Sequence, residues 1–190
     1  FAARLYVLDI NNFLGVETSI VENPLKFVDA GSRIVTALSV VWVYIRKTLV
    51  PVDLCSDYSY NQIPVLKNWF NMTSLLGGGV LVFFIFSFFF FLKKNKLLCL
   101  ASAFFLFSFL PVANLFFPIG TIVGERLMFF PSLGVVIYVV YVVNWLINKF
   151  DKEKIIKYFI FLIAACIIVF YGCQSYQRSQ DWLSEESLFK

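Results

Sequence analysis

The sequence predicts an all-α protein, a polytopic bundle of transmembrane helices. Of its 190 residues, 60% are hydrophobic and 15% are charged, whereas an ordinary soluble domain has roughly 25% charged residues. Several apolar runs approach the roughly 20 residues that a helix needs to cross a bilayer. Lysine-rich turns lie between some of these runs, as in the cytoplasmic loops of membrane proteins. Together these observations indicate an integral membrane protein.

An outer-loop and interfacial region is predicted at residues 1–73, and it contains one helix at 31–50 that starts at Asp29 to Ser32. This helix is apolar, but Arg46 and Lys47 near its end would each cost a few kcal/mol at the centre of a bilayer. The two side chains are expected to extend towards the membrane surface. The helix is therefore open to interpretation as a span, a re-entrant helix or an interfacial helix.

Four clear spans follow within a membrane region at residues 74–173. Each is an apolar run bounded by polar or charged residues, and each is close in length to a helix that crosses the hydrocarbon core. Pro111 breaks the second span, and Asn114 near its end is expected to bond a neighbouring helix. The predicted spans are about 75–92, 97–117, 127–147 and 155–173.

Charge predicts the sidedness of the loops. The turn at 93–96 contains three lysines and no acid, and the loop at 148–157 is also lysine-rich. Both are therefore expected in the cytoplasm. The loop at 52–64, the polar segment at 118–126 and the soluble-looking tail at 174–190 are then expected together on the extracytoplasmic side.

Glu125 and Arg126 are the leading candidate site residues. They lie at the edge of the polar segment between the second and third spans, where charged groups are costly unless they are paired or bind a polar ligand. Gly120 and Gly124 nearby let a ligand or another backbone approach closely. The alternative is an ion pair that only fixes a helix end. For Asp57, an interfacial position and a binding role agree equally well with the sequence.

Composition excludes some kinds of chemistry. The chain has no His and four Cys, so neither a zinc site nor a Ser–His–Asp hydrolase is expected within it. The cysteines lie mostly in or against apolar runs, and they are interpreted as small buried residues rather than disulfide partners. The small net charge of +4 indicates which loops face the cytoplasm. It does not predict a nucleic-acid partner.

Three groups of motifs occur in order along the chain. They are Asn23-Pro24 with Arg33 and Leu54-Cys-Ser-Asp-Tyr-Ser-Tyr-Asn-Gln-Ile-Pro64; Asn114-Leu-Phe-Phe-Pro118 with Gly124-Glu-Arg-Leu-Met-Phe-Phe-Pro-Ser-Leu-Gly134; and Arg178-Ser-Gln-Asp-Trp182 with Glu185-Glu-Ser-Leu-Phe189. This order resembles the transmembrane and tetratricopeptide-repeat (TMTC) family with its domain of unknown function 1736. The resemblance covers nearly the whole chain, and the wording Tyr-Asn-Gln-Ile-Pro is similar to the prokaryotic branch.

The resemblance implies a glycosyltransferase of the GT-C type in the full-length protein. Such an enzyme transfers a sugar, mannose in animal members, from a polyprenyl- or dolichyl-phosphate donor to Ser or Thr of an acceptor protein on the extracytoplasmic face. The partners would be the lipid bilayer, the donor and the acceptor protein. The location would be a bacterial inner membrane, or the endoplasmic reticulum membrane of a eukaryote. Residues 174–190 would begin a tetratricopeptide-repeat region, so that the tail enters a helical repeat domain.

The same resemblance implies roles for the candidate residues. Arg126 is expected to contact the lipid phosphate, because a guanidinium matches phosphate oxygens bidentately. Glu125 is expected to orient Arg126 or a sugar hydroxyl, and Asp57 to do the same from the facing loop. Tyr58 and Tyr60 are expected to stack on the sugar or the lipid headgroup.

The resemblance also limits what the chain is expected to do alone. In GT-C enzymes the catalytic carboxylate lies in the first extracytoplasmic loop. The base is therefore expected before residue 1, no catalytic residue is assigned, and the chain is expected to be an inactive fragment. No cofactor is predicted within it, although a divalent metal is compatible with the reaction.

Two other functions remain open. A non-enzymatic membrane anchor that presents tetratricopeptide repeats for protein interaction fits the tail equally well. A transporter would need charged groups near the midplane of the membrane, and the four predicted spans contain neither an acid nor an arginine deep within them.

Overall fold

A computed structural model describes residues 20–52, 54, 55, 58–60, 62–150 and 154–180, and Asp181 by its backbone alone. Within these residues the regular secondary structure is helical throughout, as the predicted fold class requires. Short 3-10 helices lie at Pro24–Lys26, Leu110–Val112 and Glu125–Met128. The α-helices are α1 (Ala30–Leu49), α2 (Met72–Phe91), α3 (Lys96–Phe109), α4 (Phe129–Lys149) and α5 (Lys154–Asp181).

Polar side chains cap the first three helices. Asp29 accepts the backbone N–H of Ser32 at 2.9 Å, and the hydrogen bonds from Ser32 lower the pKa of Asp29. Asn71 and Asn95 begin α2 and α3 in the same way, with N···O distances between 3.0 and 3.2 Å. Such a cap contributes about 1 kcal/mol to the helix that it starts. The predicted start of the first helix at Asp29 is confirmed.

Three described helical segments are long and apolar enough to cross a membrane, and they correspond to the first, third and fourth predicted spans. They are Met72–Phe91, Glu125–Lys149 and Lys154–Gln180. The segment predicted as a span at 97–117 is a shorter apolar helix, Lys96–Val112. Its α-helical part ends at Phe109, because Pro111 has no N–H with which to continue the helical hydrogen bonds.

α1 and α2 run in the same direction and pack closely. The Ser74 hydroxyl donates to the carbonyl oxygen of Val35 at 2.9 Å, and a Cβ on Gly77 would lie 1.8 Å from the carbonyl oxygen of Leu38. The contacts therefore advance along both helices together. Because the two helices are parallel, the segment 50–71 must run back along the whole length of α1, about 30 Å for its 20 residues. The described residues of this segment form no helix.

A row of buried aromatic rings joins α1, α2 and α3. Phe84 of α2 stacks on Phe105 of α3 with ring centroids 3.9 Å apart, and Phe105 stacks on Phe109 at 5.3 Å. Phe109 meets Tyr44 of α1 edge to face at 5.6 Å. Aromatic pairs of this kind contribute about 0.5–1.5 kcal/mol each beyond the burial of their area. The row holds the end of α3 next to Tyr44.

α4 returns antiparallel to α3. A Cβ on Gly134 would lie 2.6 Å from the carbonyl oxygen of Ala101, so the two helix backbones approach closely there. One turn further along α4, the Tyr138 hydroxyl lies 2.7 Å from the hydroxyl of Ser102 and 3.4 Å from the carbonyl oxygen of Leu98. The start of α4 therefore lies beside the end of α3, and the polar segment between them stays at that end of the bundle.

α5 lies at the edge of the bundle with most of its apolar side chains exposed, as suits a helix that faces lipid. The last span was predicted to end at Cys173, whereas α5 continues to Asp181. No Gly or Pro interrupts residues 173–181, so no local signal stops the helix there. Of the repeat region predicted at 174–190, the residues from Trp182 onward lie outside the described part of the chain.

Candidate functional site

Two buried asparagines fold the polar segment that follows α3. Asn114 has a φ of 58°, a left-handed conformation that Asn tolerates better than most residues. Its side-chain oxygen accepts the N–H of Ile119 at 2.8 Å, and its amide nitrogen donates towards the carbonyl oxygens of Thr121 and Ile122 at 3.1 and 3.2 Å. Asn23 donates to Asn114 at 3.1 Å and to the carbonyl oxygen of Ile119 at 2.6 Å. Asn114 was expected to bond a neighbouring helix, and it bonds its own loop and the side chain of Asn23 instead.

Tyr44 of α1 fixes the far end of the same segment. Its hydroxyl accepts the backbone N–H of Gly124 at 2.8 Å, and its ring is held by Phe109 in the aromatic row. The 3-10 helix Glu125–Met128 begins at the next residue. The position of Glu125 and Arg126 is therefore set by a hydrogen bond between residues that are 80 positions apart in the chain.

Glu125 is held by the loop that follows α1. Its oxygen Oε1 accepts the backbone N–H of Cys55 at 2.9 Å and the hydroxyl of Tyr58. Within the described part of the chain the second oxygen, Oε2, accepts no hydrogen bond. Since the side chain is only half-buried, Oε2 is the atom that a hydroxyl of a ligand can reach.

Tyr58 is a buried partner of Glu125. Its side chain is 5% exposed, and burial, followed by the hydrogen bond to Glu125 and the charge of that residue, raises the pKa of Tyr58 above its usual value. The hydroxyl therefore stays protonated and donates at physiological pH. The ammonium group of Lys47 lies 5.2 Å from the centroid of the ring, within the range of a cation–π contact.

These segments enclose a polar cavity of about 490 Å³, a size within the roughly 300–1,000 Å³ of small-molecule sites. Among the residues that the structure describes, the charged lining consists of two carboxylates and two guanidiniums, those of Glu22, Glu125, Arg126 and Arg178. The other described lining residues are small and uncharged: Cys55, Ser59, Gly120, Thr121, Val123 and Gly124. The cavity can therefore offer guanidinium N–H groups to an anion and carboxylate oxygens to hydroxyls.

The structure brings some of the predicted site residues together and separates others. Glu125 and Arg126 both line the cavity, but no ion pair between them occurs among the described contacts, and the carboxylate bonds Tyr58 instead. Tyr58 does not line the cavity, and it orients Glu125 through this hydrogen bond. Tyr60 is 83% exposed with a φ of 57°, and it does not line the cavity. Asp57 lies outside the described residues.

Three segments predicted to share one side of the membrane meet at this cavity. The loop 52–64 contributes Cys55 and Ser59, and α5 contributes Arg178. The polar segment contributes Gly120, Thr121 and Val123 to Arg126. Sequence reasoning did not find Glu22, Tyr44 or Arg178 as parts of the site. Arg178 belongs to one of the motifs of the resemblance, but no role was assigned to it. The positions of all three residues follow from contacts between distant segments.

The cysteines correct one prediction. Cys55 and Cys99 are half-buried, but Cys166 and Cys173, both on α5, are exposed. All four are free thiols. Among the residues that the structure describes, no group of three or more His, Cys, Asp or Glu side chains is placed to hold a metal ion.

Comparisons with known proteins identify relatives of the chain. Residues 17–88 match the family model described as Protein O-mannosyl-transferase TMTC, DUF1736. Protein O-mannosyl-transferase Tmtc3 of Drosophila melanogaster is 28% identical over 175 residues, which are 88% of the chain and 18% of that protein. Protein O-mannosyl-transferase TMTC4 of Homo sapiens is 28% identical over 185 residues, 90% of the chain and 23% of that protein. Protein O-mannosyl-transferase tmtc2 of Xenopus laevis is 35% identical over 96 residues, 50% of the chain and 11% of that protein.

No solved structure matches the chain. The chain spans less than a quarter of the length of each of these three relatives, so their activity as whole proteins is not transferred to it by similarity alone. The family model covers α1 and most of α2, and the longer matches extend over 88% and 90% of the chain. On this evidence, residues 17–88 match the DUF1736 segment of the TMTC family, and the chain is similar to TMTC proteins over most of its length.

Proposed function

We propose that this chain forms the donor-binding part of an integral membrane glycosyltransferase, which transfers mannose from a polyprenyl- or dolichyl-phosphate donor to Ser or Thr of an acceptor protein. The names of the relatives support this class of reaction. The observation that carries the proposal is the polar cavity with its two guanidiniums and two carboxylates. Guanidiniums suit the phosphate of such a donor, and carboxylates suit the hydroxyls of its sugar.

The position of the cavity suits a donor that stays anchored in lipid. The cavity lies where α3 ends and α4 begins, so the 14 residues of α3, about 21 Å of helix, separate it from the lysine turn at 93–96. Charged groups are tolerated at this depth when they are paired or bind a polar ligand. A phosphate can reach the cavity here while its polyprenyl chain remains between apolar helix faces.

The topology that we propose has four spans, α2 to α5, and a re-entrant α1. α1 and α2 are parallel, and the described part of 50–71 returns without a helix. Irregular backbone is stable at membrane depth only where protein or water covers it, and the burial of Tyr58 and Ser59 agrees with such cover. With the lysine turn in the cytoplasm, the cavity opens to the opposite compartment, the periplasm or the lumen of the endoplasmic reticulum. The tail then enters tetratricopeptide repeats on that side.

The proposed chemistry is an inverting displacement. The acceptor hydroxyl oxygen bonds to the anomeric carbon while the bond from that carbon to the phosphate oxygen breaks. The hydroxyl proton passes to a carboxylate base, and the polyprenyl phosphate leaves with the bonding electron pair. Arg126 stabilises the charge that develops on this phosphate. Glu125 accepts a sugar hydroxyl through Oε2, and the base is expected from another segment of the full-length protein.

Substitution of Arg126 tests the proposal in the full-length protein. Arg126→Gln should reduce mannose transfer by a factor of roughly 100 or more, as the loss of one charged transition-state contact does in other enzymes. Arg46→Gln is the matched control, because Arg46 is also exposed but does not line the cavity. Insertion into the membrane should be unchanged in both variants.

Two results would count against this function. Equal transfer rates for the Arg126→Gln and Arg46→Gln variants would refute the proposed contact between Arg126 and the donor phosphate. Wild-type protein that transfers no sugar and binds no lipid phosphate would favour the membrane-anchor alternative.

A further inference from the structure

One face of the C-terminal half of α5 points towards the candidate site. Tyr171, Gln174 and Arg178 follow one another at intervals of three and four residues, so they lie on one side of the helix. Gln174 and Arg178 are half-buried, whereas residues 175–177, 179 and 180 are exposed. This stripe is the part of the helix that contacts the rest of the described protein near the cavity.

Tyr171 attaches this face to the end of α1. Its hydroxyl lies 2.7 Å from the carbonyl oxygen of Thr48 and 2.8 Å from that of Leu49. These carbonyls belong to the last turn of α1, where backbone oxygens have no partner within the helix. The contact joins residues more than 120 positions apart in the chain, and it sets the height of α5 relative to α1. Arg178 follows seven residues later, about 10 Å along the helix, and lines the polar cavity.

Arg178 adds a second guanidinium to the described lining of the cavity. The other charged groups among the described lining residues are Glu22, Glu125 and Arg126. The two guanidiniums come from different segments, the 3-10 helix before α4 and the last turns of α5. Two guanidiniums from separate sides can contact different oxygens of one phosphate, each bidentately.

We propose that Arg178 is a second ligand for the donor phosphate, and that α5 must dock on α1 through Tyr171 for the phosphate site to be complete. The proposal rests on the proposed function for the identity of the donor. It adds that α5 supplies a second guanidinium to the site, next to that of Arg126. Detachment of α5 from α1 therefore weakens donor binding while Glu125 and Arg126 keep their positions.

The test measures binding and transfer separately in the full-length protein, reconstituted in lipid nanodiscs. Binding is measured with a short-chain polyprenyl phosphate that carries no sugar. Arg178→Gln should weaken binding at least tenfold, and Arg178→Lys should recover part of the loss because it restores the charge without the bidentate geometry. Tyr171→Phe should weaken binding severalfold. Gln177→Ala, on the exposed side of the same helix, should bind like the wild type.

The outcomes distinguish this inference from the proposed function. Arg178→Gln protein that is monodisperse and binds the lipid phosphate within twofold of the wild type overturns the role of Arg178. That role is also overturned if Arg178→Gln lowers kcat for transfer without raising KM for the donor. The phosphate site stands and the proposed function fails if Arg178→Gln abolishes phosphate binding but the wild type transfers sugar from none of the donors tested.

Discussion

Replacing Gly77 with Ala tests the close packing that places α1 beside the candidate site. A Cβ at Gly77 would lie 1.8 Å from the carbonyl oxygen of Leu38 and 3.1 Å from the backbone nitrogen of Trp42. Both are backbone atoms, so no rotation of a side chain relieves the overlap. α1 would have to move by about 1.6 Å to restore an ordinary contact of 3.4 Å. Tyr44 would move with it, away from the N–H of Gly124.

The expected cost follows from a matched variant of the same helix. An extra methyl group in a packed interior costs about 1–3 kcal/mol, and the backbone clash at Gly77 places this change at the upper end. Ala gains about 1 kcal/mol over Gly in a helix, and Gly79→Ala should show this gain alone, since a Cβ at Gly79 meets nothing within 4 Å. The difference in unfolding free energy between the two variants should therefore be about 3 kcal/mol, which is the clash itself.

Thermal unfolding of the full-length protein in detergent measures this difference. The Gly77→Ala midpoint should fall below the wild type, and the Gly79→Ala midpoint should equal or exceed it. Mannose transfer should fall only in Gly77→Ala, because displacement of Tyr44 disturbs the polar segment that holds Glu125 and Arg126. Equal midpoints for the two variants would refute the close parallel packing of α1 on α2.

Three further predictions concern the loop, the site and the sidedness. Asn114→Ala should destabilise the protein by about 3 kcal/mol or more, because it leaves buried backbone groups without partners at a positive φ that Ala adopts poorly; a loss of less than about 1 kcal/mol in thermal unfolding would contradict this. Tyr58→Phe should slow transfer about tenfold, since a hydrogen bond to a charged group contributes about 1.5 kcal/mol or more. Because burial raises the pKa of Tyr58, the ratio of wild-type to variant rates should stay constant below about pH 10 and decline only above it; a ratio that changes near neutral pH would be inconsistent with a protonated Tyr58. With the native cysteines removed, a cysteine at Asn95 should be shielded from an impermeant thiol reagent in intact cells and one at Ser179 should be labelled; labelling of both would show that the two positions share one compartment.

Local pattern was sufficient for most of the helices. Asp29 marked the start of α1, because a carboxylate next to an apolar run accepts the first free N–H groups of a helix. The apolar runs located α2, α4 and α5. The predictions were less accurate where a helix ended within an apolar run or continued past one. α3 stops at Phe109, before the predicted residue 117, because Pro111 interrupts its hydrogen bonds. α5 continues past Cys173, because no Gly or Pro ends it there.

The candidate site was only partly predictable. Glu125 and Arg126 were identified because adjacent charges at the edge of an apolar run are costly unless they are paired or bind a polar ligand. Tyr58 was also named as a candidate, but its hydrogen bond to Glu125 was not predicted. Tyr44 and Arg178 were not identified, since they come from segments far away in the sequence. In place of the alternative ion pair between Glu125 and Arg126, the carboxylate accepts a hydrogen bond from Tyr58.

The amino-acid sequence by itself determined the membrane class, the helical character, the charged turn at 93–96 and the identity of the two leading site residues. These features follow from hydropathy, periodicity and charge, which act over a few turns of chain. Tertiary structure alone decided that α1 lies parallel to α2, that Asn23 and Asn114 fold one loop together, and that Arg178 shares a cavity with Glu125. Those outcomes depend on contacts between residues tens of positions apart, where shape and hydrogen bonding select one pairing among many that the local pattern allows.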